Sequence, residues 1–155
     1  SGLDKEFISD IHKNAPDILH DLYLSTQVVQ HAIVAQDKII RKIAEQGSCV
    51  IVGRSADYVL KDNPNVIRLY CYAPLKDCME RERALSGLDD DEIIRKIERI
   101  DRNRADYYKC YTGRNWNDAS NYDLCLNTTS MSYPDLISVV KSYINVHHPG
   151  WMESR

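Results

Sequence analysis

The chain has 155 residues, 43% hydrophobic and 28% charged, with a formal net charge of −3. That length suits one domain able to bury roughly 70% of its unfolded surface without disulfide or metal staples. The negative balance argues against a broad basic surface for wholesale nucleic-acid or anionic-membrane binding, although local arginine clusters remain open.

Residues 4–13 and 17–24 read as two short polar helices parted at Pro16, with little periodicity to fix their packing. A long helix is predicted from Ser25 or Thr26, either a plausible N-cap, to Gln46, with Val28, Val29, Ala32, Ala35, Ile39 and Ile43 inward and Gly47 as its stop. Cys49-Val50-Ile51-Val52 reads as a buried strand ending at Gly53-Arg54. A second strand is predicted over 66–73, after which Pro74 opens a helix of about ten residues that stops at Gly87. Asp89 to Glu92 place acid on the amino end of a helix over 90–109, where it complements the dipole. The polar and aromatic stretch 107–116 has no clear period and is read as a loop. A third strand covers 122–127, and Ser132 can cap a last helix running through Ile144.

The 90–109 helix carries the most informative pattern. At about 100° per residue, Ile93, Ile97, Ile100 and Tyr108 cluster on one side, and Arg104 falls among them with Asp101 beside it. Arg95, Arg99 and Arg102 point the other way. An inward arginine is costly to bury unless an anion meets it, so a carboxylate or a bound phosphate is expected there. The alternative is a helix that ends earlier and leaves both residues on a solvated turn.

Short apolar strands separated by helices predict an α/β fold, a parallel sheet with helices on both faces. Ligands in such sheets sit beyond the carboxyl ends of strands. Gly53-Arg54, Ala73-Pro74 and Asn127-Thr128-Thr129 mark those ends. The five cysteines are odd in number and include no C-x-x-C pair; Cys49, Cys71 and Cys125 lie in apolar runs and read as reduced core residues. His12, His20 and His31 lack metal-ligand spacing, so no metal site is expected. With no signal-peptide pattern and no apolar run of eighteen residues, the chain is expected to be cytoplasmic and unanchored.

Four blocks in order carry a family resemblance: Gly53-Arg54-Ser55-Ala56-Asp57-Tyr58 after an apolar strand, Arg68 to Pro74, Asp101-Arg102-Asn103-Arg104-Ala105, and Asn121 to Thr128. Together they resemble the cytidylate kinase-like family of nucleoside monophosphate kinases, within the P-loop kinase superfamily, over residues 1–145, with a lid region at about 95–118 and a tail over 146–155. The Tyr-Tyr-Lys-x-Tyr-Thr-Gly-Arg-x-Trp insert at 107–116 is similar to the cytidylate kinase-like subgroup. The resemblance implies transfer of the γ-phosphoryl of Mg·ATP to CMP or dCMP, with Mg2+ arriving on ATP. It implies that Arg54, with Asp57 beside it, reads the edge of the acceptor base, that Asp101 holds the ribose and that Arg104 holds the acceptor phosphate. Arg102, with Arg99 or Arg114, would belong to a lid over the transferring phosphate. On the residues alone, Arg54 can equally be a strand-end partner of Asp57, and Arg99 and Arg102 a solvated helix face. A homo-oligomer is left open.

Two departures stand out. In bacterial cytidylate kinases a further arginine lies one turn before the ribose-holding acid; Ile97 occupies that place here, so Arg99 or Lys96 would have to substitute. The larger departure is that none of the six glycines belongs to a G-x-x-x-x-G-K-[ST] loop. The sequence therefore reads as the family without its first βα unit, roughly 30 residues or more. The absent strand would be the central one, between 49–52 and 66–73, leaving interior backbone groups unpaired. The missing piece is expected to be cut away, to come from another chain, or to be compensated by closure of the flanking strands. Alone, the chain is expected to bind a monophosphate without turning it over. Two alternatives are a non-catalytic nucleotide-binding or regulatory module, and an RNA- or protein-interaction surface built from the arginines and aromatics of 99–116.

Overall fold

The computed structural model describes residues 27–150. The helices expected over 4–13 and 17–24, the caps Ser25 and Thr26, His12, His20 and the last five residues lie outside that range. The described chain forms two compact units that part between Pro64 and Asn65.

In the first unit, α1 (Gln27–Glu45) is followed by a loop and the short helix α2 (Ala56–Val59). Helix α1 matches its expected span, while the side chains of Val28 and Val29 lie outside those described. Among the described side chains of the helix, Ile40 is buried and Ala32 and Ala35 are half-buried, whereas Ile39 and Ile43 of the predicted stripe are exposed. Among the described residues, Ala56, Val59 and Leu60 supply the apolar core beside α1. The strand expected at 49–52 is not formed. Val50 and Val52 are 92% and 88% exposed, Cys49 is exposed and Ile51 is half-buried, so this apolar run gains little from burial and has no ladder among the described residues to hold it extended.

In the second unit, β1 (Leu69–Tyr72) and β2 (Leu124–Asn127) pair in parallel, Leu69 opposite Leu124 and Tyr72 opposite Asn127. Two strands stand where three were expected, and each is shorter than its apolar run. The α/β class holds: a small parallel sheet is flanked by helices. Between the strands run α3 (Leu75–Leu85) and α4 (Asp90–Thr112), and α5 (Tyr133–His147) follows β2. Arg83 forks onto Asp90 with bonds of 2.7 and 2.9 Å, and Lys96 pairs with Glu82, so ion pairs at two levels link α3 to α4. Cys71 is exposed and Cys125 half-buried, so of the three cysteines read as core residues none is fully buried.

The start of α4 follows the sequence. Asp89 accepts from the Glu92 amide at 2.8 Å and Glu92 accepts from the Asp89 amide at 3.1 Å, a reciprocal capping box. Its end does not. Tyr108, on the expected inward stripe, is buried, but the helix runs past 109 through 110–112, read as loop: the Tyr107 and Tyr111 rings stack at 6.1 Å one turn apart, and Thr112 donates back to the Tyr108 carbonyl. Gly113, at φ 72°, stops it in the left-handed conformation that glycine adopts without strain. Ser132 caps α5, its hydroxyl accepting from the Asp135 amide.

Candidate functional site

The candidate residues divide between the two units. Arg54 and Asp57 belong to the first; Arg99, Asp101, Arg102, Arg104 and Arg114 belong to the second.

Within the first unit, Gly53, Arg54 and Ser55 are consecutive left-handed residues, with φ of 74°, 60° and 50°. Non-glycine residues there are strained by roughly 1–2 kcal/mol each, and such strain gathers at functional turns. The turn is held by the Ala56 amide donating to the Gly53 carbonyl and by Gln36 donating to the Arg54 carbonyl at 3.5 Å. Ser55 is buried and its hydroxyl has no hydrogen-bond partner among the described residues, while Arg54 is exposed. Only the Gly-Arg pair at a strand end signalled this turn; the strain could not be read from residue types.

In the second unit, α4 presents Asp101 and Arg104 on one turn. Arg104 Nη1 donates to Asp101 Oδ1 at 2.9 Å, with the two side chains 60% and 50% exposed. The helix therefore does not end early, and the anion facing Arg104 is its own neighbour. Arg104 is also not buried as expected, because the apolar side of α4 is covered most fully at Ile93 and Tyr108 and opens between them. The guanidinium carbon of Arg104 stands 5.9 Å from the Trp116 ring centroid. Trp116 meets Tyr70 edge-on at 5.5 Å, and Tyr70 stacks on Tyr122 at 4.9 Å and lies 6.1 Å from Tyr72. Burial, and then the nearby Asp101 carboxylate, push the Tyr70 phenol above its usual range; Cys125 adds to the rise and Arg104 opposes it. The aromatic cluster thus shares its electrostatics with the Asp101–Arg104 pair.

Arg114, two residues past the end of α4, donates to Asn121 Oδ1 at 3.3 Å, and buried Asn121 donates to the Asn115 carbonyl at 2.8 Å. Arg99 and Arg102 are exposed. Lys96, one of the two substitutes considered for the arginine replaced by Ile97, is already engaged with Glu82. At the carboxyl ends of the strands, Thr128 donates through its amide to the Tyr72 carbonyl at 2.9 Å, and Arg81 reaches across from α3 to the Thr128 carbonyl and hydroxyl at 3.3 and 3.1 Å. The sequence reading passed over Arg81 because nothing in its helix's pattern sets it apart. Among the described residues, no group of three or more histidines, cysteines, aspartates or glutamates stands together as a metal site. No described helix is long and apolar enough to cross a membrane.

A family model described as "Cytidylate kinase-like family" matches residues 1–130. The chain belongs to that family. It is 28% identical over 152 residues to a cytidylate kinase of Methanopyrus kandleri, spanning 93% of this chain and 72% of the relative. It is 34% identical over 103 residues to a cytidylate kinase of Pyrococcus horikoshii, spanning 66% of this chain and 52% of the relative. The chain thus spans about half to three quarters of the lengths of these kinases. Among solved structures, an uncharacterized protein from Eubacterium ventriosum superimposes with a TM-score of 0.73 at 26% identity, over 92% of this chain and 82% of the other.

Proposed function

We propose that this chain carries the acceptor and lid portion of a nucleoside monophosphate kinase that moves the γ-phosphoryl of Mg·ATP onto CMP or dCMP. The observation that carries the reading is the Asp101–Arg104 pair on one exposed turn of α4, in a family whose named relatives include cytidylate kinases. Phosphoryl transfer asks a protein mainly to position two nucleotides and to neutralise charge spreading over oxygens. Arginine suits the second task because its planar fork binds phosphate oxygens in pairs and stays charged.

In this reading Asp101 accepts from the ribose hydroxyls and Arg104 holds the acceptor phosphate. Arg102, Arg99 and Arg114 close over the transferring group, and Arg54 with Asp57 meets the base edge. Engagement of Lys96 with Glu82 favours Arg99 as the cation that compensates for Ile97. Mg2+ enters with ATP as part of the substrate.

Calorimetric titration of the chain with CMP, dCMP, UMP and AMP tests the reading. Binding of CMP and dCMP ahead of AMP supports it. Equal binding of AMP removes the cytidine preference, and binding of none of them removes the kinase reading.

A further inference from the structure

The support under Arg104 goes beyond the acceptor pair itself. The Trp116 ring faces the guanidinium carbon at 5.9 Å, its edge is braced by Tyr70 at 5.5 Å and 89°, and Tyr70 stacks on Tyr122 at 4.9 Å and 20°. The Tyr122 hydroxyl closes the circuit by donating to the Trp116 carbonyl at 2.6 Å. Loop 113–118, which carries Trp116, is thereby tied to β1 through Tyr70 and to the entry of β2 through Tyr122.

We propose that Trp116 is the positioning residue for Arg104, its indole face fixing the plane of the guanidinium so that the fork is presented to the acceptor phosphate. The inference rests on the phosphate-holding role proposed above for Arg104. Two physical facts favour it. Asp101 alone is a weak restraint, since an exposed pair three residues apart on a helix contributes little and a flexible arginine carries substantial rotamer entropy. An aromatic face also restrains the guanidinium without consuming any of its N–H donors, which all lie in the plane of the fork. Asp101 occupies one donor, whereas the ring leaves the edge of the fork for a phosphate.

The test is CMP affinity by calorimetry for the full chain, Trp116→Leu, Trp116→Phe, Arg104→Ala and the double variant Trp116→Leu/Arg104→Ala. Trp116→Leu is expected to weaken CMP about two- to fivefold, the range of an exposed cation–π contact. Trp116→Phe should restore most of that loss, and Trp116→Leu should add nothing once Arg104 is alanine. Unchanged affinity in Trp116→Leu, or the same loss with and without Arg104, overturns the inference, because Trp116 would then act independently of Arg104. A second measurement needs no variant: in the wild-type NMR spectrum the Arg104 Nε–H proton is expected upfield of an unshielded arginine, and an unshifted resonance overturns the pairing. A wild-type chain that fails to bind CMP overturns the proposed function, and the Arg104 resonance then decides the pairing by itself.

Discussion

Arg68 and Asp123 clamp the amino ends of the two strands from both directions. The Asp123 carboxylate accepts from the Arg68 amide at 2.7 Å, from its Nε at 3.0 Å and from its Nη2 at 2.6 Å, while the Asp123 amide donates to the Arg68 carbonyl at 2.9 Å. Tyr143 of α5 adds a bond of 2.9 Å to the Asp123 carbonyl. The side chains are about three-quarters buried, at 26% and 27% exposed, so the pair is less screened than a surface ion pair. A two-stranded sheet is marginal alone, and this clamp fixes its register one residue before β1 begins.

Replacing Asp123 by Asn is expected to destabilise the chain by about 1.5–3 kcal/mol, the range for hydrogen bonds to a charged group. The Arg68 bonds hold the Asp123 carboxyl below its usual range in the folded state. A depressed folded pKa contributes stability that is fully present above the unfolded value, about 3.9, and is lost as pH falls through the folded value. Urea unfolding of wild type and D123N should therefore converge as pH drops below about 4. A gap that stays constant through that window contradicts the clamp.

Gly113 and Gly87 should respond differently to alanine. Gly113 sits at φ 72° where it ends α4, and Gly87 has no such angle; neither would crowd an added Cβ. Gly113→Ala is expected to lose about 1–2 kcal/mol from the left-handed strain alone. Gly87→Ala should be neutral or slightly stabilising. Thermal melts of the two variants decide it, and equal effects would mean that Gly113 does not set the end of α4.

The 49–52 segment gives a third expectation. With Val50 and Val52 almost wholly exposed, V50S and V52S should each change stability by less than about 0.5 kcal/mol. Losses of 1.5 kcal/mol or more, on the scale of a fully buried valine, would show that the run is packed as the strand its composition suggests.

How much could be read from the residues depended on whether a signal was local. The acidic start of α4 at Asp89 to Glu92, the cap at Ser132 and the span of α1 rest on neighbours in sequence and were legible, whereas the reciprocal bonds of Asp89 and Glu92 appear only in the structure. The 49–52 run was misread because burial depends on what lies alongside a strand, and four apolar residues look the same whether or not anything does. The 110–112 turn hid its helix because the stacking of Tyr111 on Tyr107 and the bond from Thr112 to the Tyr108 carbonyl replace an apolar stripe there. At the site, the spacing of Asp101 and Arg104 put both residues on one helical turn. The aromatic support from Tyr70, Trp116 and Tyr122 joins residues some fifty positions apart, which no periodicity could join.

The measurement that bears most directly on the account is CMP affinity of the wild-type chain against Arg104→Ala, with a melting curve for each. Because the Arg104 side chain is 60% exposed and its bond to Asp101 is a surface pair, the substitution should leave the melting midpoint nearly unchanged. Loss of charge-assisted bonds to phosphate should weaken CMP about tenfold or more. Wild-type affinity retained in a variant that melts markedly earlier would make Arg104 a structural residue and contradict the acceptor site.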